Sequence, residues 1–152
     1  MFFIADFNKD FTTSVFVMPD FGAKTGTGHL GEKFLYIEFP NIKKRNLIKL
    51  EDRIFEKEFA VYSKDQVESR FILTPMLMQK ILDFKILTGR GIYLSFSKSR
   101  LNIAVPTGDI FEPDFRKPVT DYNSIERNYS YLSLFAEIVQ ELDLNTRIWG
   151  KK

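Results

Sequence analysis

Residues 2–7 and 14–18 are short apolar runs of strand length, and the polar stretch Asn8-Lys9-Asp10-Phe11-Thr12-Thr13 between them predicts a hairpin connection. Pro19-Asp20 ends the second run. Across residues 20–38 the signals conflict: Leu30, Phe34 and Ile37 recur at helical spacing, yet Gly22, Gly26, Gly28 and Gly31 favour a loop or a weak helix. Residues 41–49 read as a polar, basic connector. Residues 59–62 and 67–73 then suggest two strands around a Ser63-Lys64-Asp65 turn, with Val67, Ser69, Phe71 and Leu73 on one face.

The next segment carries the sharpest local grammar. Thr74 is placed to cap a helix, Pro75 suits its first position and Gly89 its left-handed stop, with Leu77, Met78, Ile81, Leu82 and the stem of Lys85 along one stripe. Residues 92–96 and 101–105 predict a hairpin across Ser97-Lys98-Ser99-Arg100, and residues 106–118 a loop. A long helix is expected over residues 124–142, with Ile125, Tyr129, Leu132, Ala136 and Val139 as its apolar face. The remaining tail, from Leu144, is expected to be extended and to tuck Ile148 and Trp149 onto the sheet. Strands joined by hairpins, followed by single helices, predict an α+β domain: a mostly antiparallel sheet with one mid-chain and one long C-terminal helix packed on it.

Composition narrows the function classes. The 152 residues fit one domain, and 44% hydrophobic with 28% charged residues is a globular balance. The 16 Phe supply a bulky core or an apolar wall. A net charge of +2 advertises no basic stripe, so no nucleic-acid partner is expected. The absence of cysteine removes thiolate nucleophiles, zinc-thiolate sites and disulfides, and suits a reducing compartment. No run approaches the roughly 18 apolar residues a spanning helix needs.

Few motifs survive scrutiny. Gly26-Thr27-Gly28-His29-Leu30-Gly31 formally matches a dinucleotide fingerprint, but Pro19 and the residues after it separate it from the preceding strand, and Glu32 stands where a phosphate loop needs lysine. Nucleotide binding is not expected there. His29 is the only histidine, which leaves no triad and no zinc set. Lys43-Lys44-Arg45 is too short for a lipid cluster. No catalytic residue, metal ligand or cofactor is assigned. Two segments remain as candidate binding sites. In the first, Tyr62, Glu68 and Arg70 would mark a polar site on a sheet surface, although a lateral Glu68–Arg70 ion pair between strand neighbours is the simpler expectation. In the second, Arg147 and Trp149 would form a docking tail, since Trp and Arg dominate interface hot spots, against the simpler expectation of a buried indole.

These segments, with Phe2-Phe3-Ile4-Ala5-Asp6-Phe7-Asn8-Lys9, residues 47–59 (LIKLEDRIFEKEF), residues 92–96 and the closing Leu144-Asn145-Thr146-Arg147-Ile148-Trp149, resemble the bacterial domain-of-unknown-function family numbered 3137. Ser69 and Phe71 stand where relatives usually show Ala and Tyr. Longer members look membrane-anchored upstream of this region. The resemblance therefore implies a single domain forming the C-terminal portion of a longer, membrane-tethered protein, with the chain on the cytoplasmic side of the inner membrane. It implies no reaction and brings no functional residues with it. Three functions compete: a non-catalytic interaction module with a protein partner, a domain binding a small apolar ligand or lipid, and a hydrolase or transferase working through carboxylates alone.

Overall fold

The computed structural model describes residues 1–20, 46–106 and 121–149. In chain order these form β1 (Phe2–Pro19), β2 (Asn46–Ile48), α1 (Arg53–Glu58), β3 (Phe59–Ser63), α2 (Gln66–Ile72), α3 (Pro75–Thr88), β4 (Tyr93–Ala104) and α4 (Tyr122–Trp149). The strands make an antiparallel sheet in the order β2-β3-β1-β4. One core cluster joins the inner face of that sheet to all four helices, with Val15, Val17, Phe59, Val61, Leu94, Phe96, Leu101 and Ile103 facing Phe55, Ile72, Leu77, Ile81, Phe84, Phe135 and Ile138. The expected class, α+β with a mid-chain helix and a long C-terminal helix packed on an antiparallel sheet, is the observed one. The glycine fingerprint at residues 26–31, His29 and the Lys43–Arg45 triplet lie outside the described residues.

Two expected turns are instead strand interior. Residues 8–13 do not reverse the chain: β1 runs unbroken and pairs with β4 along its length, from Phe2 opposite Ala104 to Val17 opposite Leu94. The polar stretch is absorbed as irregularity, because β1 advances from Asp6 through Phe11 to Val15 while β4 advances only from Arg100 through Lys98 to Phe96. Ser97–Arg100 is likewise inside β4, where Lys98 takes a left-handed φ of 54°. The apolar parity shifts from Leu94 and Phe96 to Leu101 and Ile103 without a turn, across the left-handed Lys98. The connector at residues 41–49 also gives up its last part to a strand, since Asn46–Ile48 pairs with Val61–Ser63.

The segment read as a strand at residues 67–73 is helix α2. The reason is local. Asp65 has an extended backbone and its carboxylate accepts from the amides of Val67 and Glu68, so the chain starts a helix where a turn was expected. Asp52 does the same for α1, accepting from Ile54 and Phe55. Helix α3 follows its signals closely: Thr74 accepts from the Leu77 amide, Pro75 opens it, and Gly89 closes it at φ 60°. Leu77, Met78, Ile81, Leu82 and Phe84 are buried, and Lys85 reaches the carboxylate and carbonyl of Glu58, with its ammonium 4.8 Å from the Phe59 ring centroid.

Helix α4 reverses the expected faces. Tyr131, Phe135, Ile138 and Leu142 are buried, whereas Ile125, Tyr129 and Leu132 are 55%, 71% and 49% exposed and Ala136 is also exposed. Both rows have helical spacing, so periodicity alone does not choose between them. Aromatic packing does: the Phe135 ring stacks on Phe3 of β1 at 4.4 Å and meets Phe84 of α3 edge-on at 4.9 Å, and Phe84 also meets Tyr131. The helix continues to Trp149, so the tail expected to be extended is helical, and the side chains of Arg147 and Trp149 lie outside the described residues.

Candidate functional site

The irregular stretch of β1 creates a local problem that the chain solves with the Tyr62–Glu68 segment. Residues that bulge out of a ladder turn their amides away from the neighbouring strand and leave buried donors to satisfy. Glu68 projects from α2 onto this stretch, and its carboxylate accepts from the Thr12 amide at 2.7 Å, the Thr13 amide at 2.8 Å and the Thr12 hydroxyl at 2.6 Å. It is only 8% exposed. Hydroxyls extend the network: Ser63 Oγ donates to the Ser14 carbonyl and receives the Asp65 amide, Ser14 and Ser97 hydroxyls meet at 2.9 Å, and Ser69 Oγ donates to the Asp65 carbonyl. Ser63 and Ser69 are fully buried. A buried carboxylate with three short donors is a clamp that fixes a backbone, because its acceptor capacity is directed at the protein itself.

The match with known families falls on this framework. The family described as "Protein of unknown function (DUF3137)" matches residues 1–144. The chain belongs to the DUF3137 family. No curated protein and no solved structure matches it. The matched span takes in the β1 bulge, the Asp65 cap and Glu68, and it stops short of Arg147 and Trp149.

Within this DUF3137 fold the candidate residues separate. Tyr62 points to the opposite face of the sheet, buried with Met18 beside Phe16, Ala60 and Tyr93. There burial pushes the Tyr93 phenol above its ordinary titration range. Glu68 belongs to the clamp. Arg70 sits on α2 and donates from Nη2 to the Lys49 carbonyl at 3.2 Å on the surface. The expected lateral Glu68–Arg70 ion pair does not form, since residues two apart on a helix point in opposite directions and Glu68 is turned to β1. Tyr62, Glu68 and Arg70 are therefore three separate environments and not one polar site.

Other carboxylates are also structural. Asp52 and Asp65 cap helices, Glu56 accepts from the Leu50 amide, Glu58 holds Lys85, and Glu137 pairs with Lys80 at 2.7 Å. Among the described residues no group of three or more His, Asp or Glu is arranged to hold a metal ion, and no helix is long and apolar enough to cross a membrane. Among the described residues several large apolar side chains are exposed, and four of them share one face of α4. Tyr122, Ile125, Tyr129 and Leu132 form an exposed apolar row along its first half, with the exposed Ala136 extending it, while Val139 is partly buried against the core. The residues were visible in the sequence; what sequence reading missed was that they face away from the core.

Proposed function

We propose that this DUF3137 domain is a non-catalytic protein-interaction module, working in the cytoplasm close to the bacterial inner membrane and contacting its partner through the outer face of α4. The observation that carries the reading is the ridge itself: four large apolar side chains in a row, 49% to 72% exposed, on a helix whose opposite face already anchors the core. A contiguous apolar surface of this kind marks an interaction site, whereas scattered apolar residues do not. Two Tyr in the row suit a protein partner, since they offer large contact area at low entropic cost. The engagement of Asp52, Glu56, Glu58, Asp65, Glu68 and Glu137 as caps, clamps and ion pairs supports a non-catalytic role. The cysteine-free composition supports a reducing compartment.

The test is photo-crosslinking in cells, with a benzophenone amino acid replacing Tyr129. A discrete adduct is expected, and the double variant Ile125→Glu, Leu132→Glu should abolish it without lowering the melting temperature. No adduct, or an adduct indifferent to those two changes, would sink the reading.

A further inference from the structure

Successive amides of a regular strand point to opposite edges, so a single carboxylate does not take two in a row. At the bulge in β1 they converge. The Thr12 amide donates to Oε1 of Glu68 at 2.7 Å, the Thr13 amide to Oε2 at 2.8 Å, and the Thr12 hydroxyl to Oε2 at 2.6 Å. Successive N–H groups turned to one side form a concavity suited to anions. The anion seated here is the chain's own side chain, and it is only 8% exposed.

The concavity is also shaped from the sheet. Phe11 pairs with Lys98 before it and Val15 with Phe96 after it. The Phe11 ring meets Phe96 edge-on at 5.9 Å, the Ser14 and Ser97 hydroxyls meet at 2.9 Å, and Ser63 Oγ donates to the Ser14 carbonyl at 3.2 Å. These contacts come from β3 and β4, and none involves Glu68. Helix α2 has its own start in the Asp65 cap, and Ser69 and Ile72 bury its inner side. Thr12 is exposed, so the site opens to solvent.

We propose that Thr12 and Thr13 form a carboxylate-binding site on β1, filled by Glu68 of the same chain, that takes a small free carboxylate once that side chain is removed. Without Glu68 two amides and a hydroxyl lose a shared acceptor, and an ion that restores all three gains charge-assisted hydrogen bonds. Glu68→Ala deletes Cγ and the carboxylate. The space fits formate, crowds acetate and excludes propionate, because a free ion must keep van der Waals distance from Cβ where Glu68 had bonds. The wild type takes no free ion, since the tethered carboxylate holds an effective concentration that dissolved salt does not match.

The experiment melts the purified full chain, wild type beside Glu68→Ala, in sodium formate against sodium chloride at equal ionic strength. The expected result is a saturable rise in the melting temperature of the variant, with a midpoint no tighter than about 1 mM, the ceiling for so small a ligand. The wild type should show no such rise. Acetate should do less than formate, and propionate nothing. The Thr12 and Thr13 amide resonances of the variant should return towards their wild-type positions with the same midpoint. Adding Thr12→Val to Glu68→Ala should weaken the formate effect about tenfold or more, since it deletes one charge-assisted donor. Glu68→Ser is the second variant, so that misfolding of one does not decide the matter. Formate acting equally on wild type and variant, acting without the size order, or leaving Thr12 and Thr13 unmoved overturns the proposal. So does a chain that stays unfolded in both variants whatever the salt, because a site shaped by the sheet would let the ion restore folding.

Discussion

At the scale of single residues, Glu68 shows how a charged side chain can serve the backbone. Glu68→Gln keeps the size but places an amide N–H₂ against donors, so one of the Thr12 and Thr13 amides loses its acceptor. The expected loss is about 2–3 kcal/mol, the range for hydrogen bonds to a charged group that also leave a buried donor unsatisfied. Urea melts measure it, and amide exchange at Thr12 and Thr13 should accelerate in step. Unchanged protection there would mean that the bulge is held by other contacts. Tyr93 gives a pH-dependent counterpart. Burial raises its folded pKa above the unfolded value of 10.0. The native state then holds the phenolic proton more tightly than the unfolded chain. Its contribution is fully present below about pH 10 and is lost as pH rises through the raised folded value. Tyr93→Phe should therefore flatten part of the alkaline decline in stability. A slope identical to that of the wild type would show that Tyr93 titrates normally.

At the scale of elements, legibility followed the kind of signal available. Helix α3 was readable because capping Thr74, Pro75 and the left-handed Gly89 are local chemistry that no tertiary contact overrides. Gly89→Ala meets no neighbouring atom, so its expected cost of about 1–2 kcal/mol is backbone strain alone. Helix α2 was misread because residues 67–73 alternate like a strand; the decisive cue was Asp65 three residues before Glu68, the acidic form of a capping sequence. The two false hairpins were polar runs within long strands, and only the Glu68 clamp and the left-handed Lys98 explain how a strand accommodates them. In α4 two apolar rows competed, and sequence contains nothing to rank them until Phe3 and Phe84 are seen beside Phe135. Paired substitutions test the assignment. Ile138→Ala should cost about 2–5 kcal/mol, whereas Ile125→Ala should stay within about 0.5 kcal/mol for the isolated monomer. Equal effects would return Ile125 to the core.

For the whole molecule, Phe135 is the point where the layers meet. It touches β1 through Phe3 and α3 through Phe84, so the C-terminal helix closes a core whose sheet is built around the N-terminal strand. That long-range closure predicts one cooperative transition for sheet and helices together, since neither α3 nor α4 covers the sheet alone. Phe135→Ala removes both ring contacts and leaves a cavity between three elements, at an expected cost of about 3–5 kcal/mol. For a chain of this length each kcal/mol lowers the melting temperature by about 2–4 °C, so a fall of roughly 6–20 °C is expected. Far-ultraviolet and near-ultraviolet circular dichroism should shift together, because the helix and the aromatic core unfold in the same step. Separate transitions, with helical signal persisting after the aromatic signal is lost, would show that α4 is stable apart from the sheet. In that case the outer ridge would belong to an independent helix, and the contact through it would need no intact domain behind it.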